Sequence, residues 1–301
     1  MPFWQLTVPT LPETSDGLTN FLWEQGALGV VEEESPTEPA RLRAFFADTA
    51  SSTELLRAVS VYRASLRTLG LPVAAAEAEI SPLLDAAWAQ AWQQSFPPRE
   101  VGRRLLVVPP WEATSEAGER LRIVIEPGRA FGTGHHGSTE GCLVLLEEAL
   151  EARPGARVLD IGTGTGILAV AAIQLGAAEA LAIDVDPDAV AAARKNAAAN
   201  DCGRRLSVEP RAPGELPSWA RWPVVVANLL TQSHLALAGT YTRLVEPAGS
   251  LILGGVLADE EARIIAALES AGWAVSRRVV VDGWSSMLLS APAAARGARP
   301  A

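Results

Sequence analysis

The spacing of apolar residues changes period several times along the chain. From Phe3 to about Val73 short runs alternate between a period of two and a period near 3.6. FWQLTV (3–8) predicts a strand, and DGLTNFLWEQG (16–26) an amphipathic helix closed by Gly26. ALGVVEEE (27–34) and RLRAFFA (41–47) predict two more strands. SSTELLRAVSVYRASLRTLG (51–70) predicts a helix that opens at a Ser/Thr cap and stops at Gly70. Elements in this order make a small α+β sandwich.

SPLLDAAWAQAWQQSFPP (81–98) reads as one short helix. Ser81 is placed to cap it, Pro82 takes its first position and Pro97–Pro98 stop it. Leu84, Trp88 and Trp92 fall at i, i+4 and i+8, an apolar stripe suited to packing on a lobe.

From Arg99 onward strands and helices alternate. RLLVVPPW and LRIVIEP predict strands, followed by a glycine-rich loop and the helix STEGCLVLLEEALEA. The strands ARVLDIG, EALAIDVD, RLSVEP, WPVVVANLL and SLILGGVL are interleaved with the helices GILAVAAIQLG, PDAVAAARKNAAAND, HLALAGTYTRLV and ADEEARIIAALESAG. All-apolar strands in repeated β-α units predict a parallel sheet covered on both faces, a doubly wound α/β fold. The last two strands, WAVSRRVVVDG and SSMLLSAP, meet at Asp282–Gly283 and predict an antiparallel hairpin at one edge. The boundaries that follow are a first domain over 1–78, a linker helix over 79–98, a second domain over 99–293 and a disordered tail over 294–301.

Composition narrows the functional classes. The 301 residues are 49% hydrophobic, enough to bury sizeable cores, and the net charge is −10. Acids outnumber arginines most clearly before Ser95, and Lys195 is the only lysine. Such a balance argues against direct reading of nucleic acid. Cys142 and Cys202 are the only cysteines, too few for a disulfide framework and without zinc-ligand spacing. The N-terminus lacks a signal-peptide pattern and no run approaches a membrane span, so the expectation is a soluble, cytoplasmic protein with no membrane partner.

The chemistry concentrates at the carboxyl ends of the apolar strands. In VLDIGTGTGILAVAA, Asp160 closes a strand, and Gly162, Gly164 and Gly166 follow at two-residue spacing before a helix. Such a turn lets backbone approach a ligand where open α/β sheets bind theirs. The dinucleotide fingerprint is G-x-G-x-x-G, which this is not. A carboxylate beside the turn repels a pyrophosphate and attracts an ammonium or sulfonium. That favours S-adenosylmethionine (SAM) over NAD or ATP. Asp184 ends the next strand, suitably placed for ribose hydroxyls, while Asp186 reads as a helix cap. Asn228 ends the strand of VVVANLL at the same edge. The Pro-Pro-aromatic clamp of adenine and glutamine methyltransferases does not follow it, which disfavours a planar amide and leaves an sp³ amine.

The loop EPGRAFGTGHHGSTEG (126–141), with its glycines and its pair His135–His136, first suggests phosphate or metal. The glycines have no matching basic residue or helix fingerprint of a phosphate loop, and the histidines lack partners for a ligand set, so no metal is expected. Either histidine could serve as a base or brace the loop.

These motifs, in this order and spacing, resemble the PrmA family, bacterial methyltransferases of the large-subunit ribosomal protein eleven. EPGRAFGTGHHGST, VLDIGTGTGILAVAA, AIDVDPDAV and VVVANLL carry the likeness, with WAQAWQQSFPP and LLVVPPW upstream. The resemblance implies a class I SAM-dependent methyltransferase fold preceded by a ferredoxin-like domain that docks the substrate. It implies methylation of lysine and N-terminal amino groups of that ribosomal protein, free or ribosome-bound; the sequence does not fix an oligomeric state, and a monomer is the expectation. Carried onto this chain, Phe131, Gly132, Thr133 and Thr139 would line the methionine end of SAM. Asp160, Gly162 and Gly164 would hold the methionine moiety, Asp184 the ribose, and Asn228 the methionine or incoming-amine region, making it the candidate catalytic residue. Ser138 departs from the threonine common in the family but keeps a hydroxyl. Methylation of another amine, or SAM binding without catalysis, remain alternatives.

Overall fold

The computed structural model describes residues 3–27, 29–33, 40–47, 50–83, 96–114, 117–127, 132, 134 and 136–292. The chain divides into two compact units, Met1–Pro97 with Pro127–Arg129, and Pro98–Glu126 with Ala130–Ala301.

The first unit runs β1 (Phe3–Pro9), α1 (Pro12–Glu24), β2 (Gly29–Glu33), β3 (Arg41–Phe46), α2 (Ser52–Thr68), β4 (Glu79–Leu83). Its antiparallel sheet has the order β2-β3-β1-β4, which is the ferredoxin-like arrangement. Alternate strand residues Leu6, Val8, Leu42, Ala44 and Phe46 pack against Leu18 and Leu22 of α1 and Leu55, Val59 and Leu66 of α2. α1 starts at Pro12, earlier than the apolar pattern indicates, because proline suits a first helical position where no N–H is needed.

The stretch Glu79–Leu83 departs from the helix expected of it. Ser81 and Pro82 do not open a helix; Glu79–Leu83 is a strand paired with β1, Ser81 opposite Gln5 and Pro82 opposite Trp4. A Ser-Pro pair suits a helix start and an edge strand equally, and β4 lies at the sheet edge, where proline's missing N–H is tolerated. Buried Arg63 of α2 fixes the approach to this strand by donating to the carbonyls of Ala74 and Ala76 at 2.5 and 2.7 Å. Leu84, Trp88 and Trp92 of the expected helix lie outside the described residues.

The second unit opens with a small sheet, β5 (Arg99–Val101), β6 (Leu105–Val108) and β7 (Leu121–Val124). Next come α3 (Gly137–Ala152), β8 (Val158–Ile161), α4 (Ile167–Gln174), β9 (Ala180–Asp184), α5 (Pro187–Ala199) and β10 (Leu206–Pro210). β11 (Trp222–Asn228), α6 (Thr231–Leu244), β12 (Val245–Leu257), α7 (Glu261–Glu269), β13 (Ala274–Val281) and β14 (Trp284–Ser290) complete it. The large sheet has the order β10-β9-β8-β11-β12-β14-β13, parallel throughout except for β14. Val158, Val224, Val226 and Ile252 face a core built with α3 and α4. Leu159, Ile161, Val225, Ala227, Leu251 and Leu253 face Tyr241, Leu244, Ile264 and Leu268 on the other side.

The terminal hairpin forms, but its second strand takes the inner place. β14 is nearly all buried between β12 and β13, whereas β13 is mostly exposed and carries Arg277 and Arg278. The more apolar strand goes inside, and charge blunts the edge. The chain departs from β8 in both directions, to β9 on one side and β11 on the other. The carboxyl ends of these strands therefore meet at a topological switch point.

Candidate active site

Asp160, near the carboxyl end of β8, has no exposed surface. Its Oδ2 accepts the Thr163 hydroxyl at 2.5 Å, and its Oδ1 has no hydrogen-bond partner among the described residues. Burial pushes its carboxyl up to about 7, against the Thr163 bond, which favours the ionised form. A buried acceptor without a donor is costly unless a ligand supplies one.

The turn after β8 needs its glycines. Gly162 has φ +70°, and a Cβ there would stand 2.4 Å from the Leu229 side chain. Gly166 caps α4 with φ +83° and lies so close to α5 that a Cβ would meet Ala193 at about 3 Å. Between them, the Gly164 N–H donates to Asp184 Oδ2 at 2.9 Å. Asp184 stands at the tip of β9, and its Oδ1 accepts the Asp186 N–H at 3.1 Å. Asp186 caps α5 by accepting the Asp188 N–H, as its position before Pro187 indicates.

Asn228 ends β11, and its Nδ2 donates to Thr139 Oγ1 at 3.3 Å. Thr139 is wholly buried in the first turn of α3. The Asn228 Oδ1 is a second buried acceptor without a partner among the described residues. Leu229 packs over the glycine turn at Gly162, while Leu230 is 59% exposed at the start of α6.

The loop ahead of α3 joins this site through Gly132. Its carbonyl accepts the Thr165 hydroxyl at 2.5 Å; its φ is +101°, and a Cβ there would stand 2.9 Å from Thr165 Oγ1 and 3.4 Å from the Ile167 side chain. Phe131, Thr133 and His135 lie outside the described residues. His136 is the cap of α3: Nδ1 lies 2.8 Å from Ser138 Oγ and accepts the Ser138 N–H, and the ring tilts against Trp284. Its described contacts brace the loop. Among the described residues no group of three or more His, Cys, Asp or Glu could hold a metal, and no helix is long and apolar enough to cross a membrane.

Several residues of the site were not singled out by pattern. Thr163 and Thr165 sit inside the glycine run, where their hydroxyls anchor the turn to Asp160 and Gly132. Asn196 of α5 donates to Thr165 O at 2.8 Å and accepts the Glu126 N–H at 3.0 Å. Asn200, which ends that helix, accepts the Val124 N–H at 2.7 Å and donates to its carbonyl at 2.6 Å. Two asparagines four apart in an alanine-rich helix are a readable signal, because asparagine is a poor helix former. A further buried polar pair is His234 with Tyr241 on α6.

Asp160, Gly162, Gly164, Asp184, Asn228, Thr139 and Gly132 are thus gathered at the carboxyl edge of the switch point. The two orphaned acceptors, on Asp160 and Asn228, fit a ligand that carries a cationic N–H donor. That chemistry agrees with the sequence family. Residues 2–291 match the family described as ribosomal protein L11 methyltransferase (PrmA).

The chain belongs to this family. It is 36% identical over 259 residues to the ribosomal protein L11 methyltransferase of Geobacter metallireducens, covering 86% of this chain and 84% of that protein. The enzyme of the same description from Pseudomonas aeruginosa is 34% identical over 303 residues, 94% of this chain and 97% of its own. The crystal structure of ribosomal protein L11 methylase from Lactobacillus delbrueckii subsp. bulgaricus aligns with TM-score 0.60 at 27% identity, over 65% of this chain and 100% of that one. A PrmA sequence therefore carries the buried carboxylate, the glycine turn and the Asn228 corner just described.

Proposed function

We propose that this PrmA-family chain transfers methyl groups from SAM to lysine and N-terminal amino groups of ribosomal protein L11. The family match over residues 2–291 carries this reading. The orphaned acceptors on Asp160 and Asn228 support it: the methionine end of SAM bears an ammonium that Asp160 could accept from, and the incoming amine bears an N–H that Asn228 could accept. In this reading Asp160, Gly162 and Gly164 hold the methionine moiety, with Gly132 and Thr139 beside it. Phe131 and Thr133 are assigned to the same end. Asp184 takes the ribose hydroxyls with the lone pairs that Gly164 and Asp186 leave free.

SAM supplies an activated methyl group on a sulfonium. The chain's own contribution is to position, desolvate and orient the incoming amine. Asn228 faces this task with its amide oxygen, which can accept an N–H of the neutral amine. A lysine of pKa about 10.4 is neutral about once in a thousand molecules at neutral pH, whereas an α-amine near 8 is far easier. Burial of the amine at the site shifts this balance toward the neutral, nucleophilic form.

The ferredoxin-like lobe, which reaches Leu83 through β4, is assigned to capture of the substrate protein. We assign the stretch from there to Pro98 as the linker, and the remainder to about 293 as the catalytic domain.

The test is incubation of the purified protein with labelled SAM and ribosomal proteins from a methylation-deficient strain, followed by identification of the labelled protein and residue. Label on L11 amines supports the reading. Label elsewhere overturns the substrate, and SAM binding without any transfer overturns the enzyme.

A further inference from the structure

The polar pair on α6 is not used by the site as assigned so far. His234 is 1% exposed and Tyr241 has no exposed surface, seven residues apart on the face of the helix that meets the sheet. His234 Nε2 lies 2.7 Å from the Gly254 carbonyl, and Nδ1 lies 2.8 Å from the Tyr241 hydroxyl. A carbonyl only accepts, so Nε2 carries the proton and Nδ1 receives the one from Tyr241. The imidazole is neutral and its tautomer is set. Burial, which lowers its pKa to about 4, keeps it so.

The recipient of this chain is the backbone beside Asn228. Gly254 pairs with Asn228 across β11 and β12, and its carbonyl also accepts the Leu229 N–H at 3.1 Å. A methyl group on Gly254 would stand 3.1 Å from Asn228 Oδ1, and one on Gly255 3.0 Å from it. The amide oxygen thus rests on the peptide that His234 and Leu229 hold from two sides. Leucine and phenylalanine would fill the same core volume without desolvating an imidazole and a phenol. Each polar atom of the pair is instead spent on fixing one carbonyl.

We propose that His234, oriented by Tyr241, is a positioning residue for methyl transfer: by fixing the Gly254–Gly255 peptide it sets the direction of the Asn228 amide oxygen. This rests on the assignment of Asn228 to the amine. His234 touches neither substrate, and its effect passes through Asn228.

His234→Leu removes the donor while keeping bulk, His234→Gln restores a donor to the carbonyl, and Tyr241→Phe removes the orienting hydroxyl. In the full-length protein we expect His234→Leu to lower kcat on the order of tenfold or more while KM for SAM stays within about twofold. His234→Gln recovers most of the loss, and Tyr241→Phe gives a smaller one. Asn228→Ala combined with His234→Leu is no slower than Asn228→Ala alone. Equal losses in the leucine and glutamine variants, or an additive double variant, overturn the proposal. A readout independent of activity is the Asn228 side-chain amide signal in ¹⁵N-labelled protein, identified by its absence in Asn228→Ala. It shifts in His234→Leu and returns in His234→Gln; an unmoved signal overturns the proposal even if the wild type methylates nothing. Failure of wild-type transfer alone counts against the proposed activity and leaves this spectroscopic test decisive.

Discussion

The Thr165 hydroxyl donates to the Gly132 carbonyl at 2.5 Å, joining the loop ahead of α3 to the glycine turn after β8. Two segments more than thirty residues apart in sequence become one wall of the site through a single buried bond. Asn196 reinforces it from α5 by holding the Thr165 carbonyl and the Glu126 N–H together.

Thr165→Val keeps the shape of the side chain and leaves the Gly132 carbonyl without its donor. We expect SAM to bind about tenfold more weakly, near 1.4 kcal/mol, by isothermal titration calorimetry. Unchanged affinity would mean that the Gly132 loop is no part of the cofactor wall.

Asp160 sets stability against binding. Its carboxyl moves from an ordinary 3.8 to about 7 in the fold, so between these values the folded state holds more protons than the unfolded one. Stability therefore falls as pH rises from about 4 to 7, and the penalty is complete above that range. Asp160→Asn still accepts from Thr163 and has no charge to bury. It should raise the unfolding free energy at pH 8 by on the order of 2 kcal/mol, and much less at pH 4, while weakening SAM binding. Urea titrations at the two pH values measure the first effect; equal gains at both would contradict it.

Asp184 has a backbone task as well as its assigned ligand task, since it holds Gly164 and Asp186. Asp184→Ala should cost SAM about 1.5–3 kcal/mol of binding, with Asp184→Asn intermediate because one acceptor remains. Equilibrium dialysis decides it. Wild-type affinity in the alanine variant would remove Asp184 from the ribose.

Asn200 acts as a substitute strand neighbour for Val124, satisfying both of its backbone groups. Asn200→Ala should destabilise the protein by about 2–4 kcal/mol, because two buried groups lose their partner at once. A loss below about 0.5 kcal/mol in chemical unfolding would show that water replaces the side chain without cost.

Much of the site was legible as pattern, because the residues concerned are set by local constraints. The glycine turn, Asp160 before it and the cap at Asp186 are consequences of a strand turning into a helix within a few residues. Asn228 could be placed because strand ends are readable and all parallel strands point the same way. His136 was legible as a residue of the loop, but its capping of α3 and its contact with Trp284 depend on β14 reaching the same place.

Sequence alone determined most of the succession of elements and the carboxylates at the tips of β8 and β9. Periodicity and turn residues act over short distances, and they were sufficient for these. Only the tertiary structure decided that Ser81–Leu83 is an edge strand, since pairing with β1 outweighs a Ser-Pro pair that suits a helix equally well. It also decided that β14 lies inside β13, where burial favours the more apolar strand. The orphaned acceptors on Asp160 and Asn228, and the His234–Tyr241 chain beneath Gly254, belong to the same class. A hydrogen-bond partner is a matter of three-dimensional proximity, and no period along the chain encodes it.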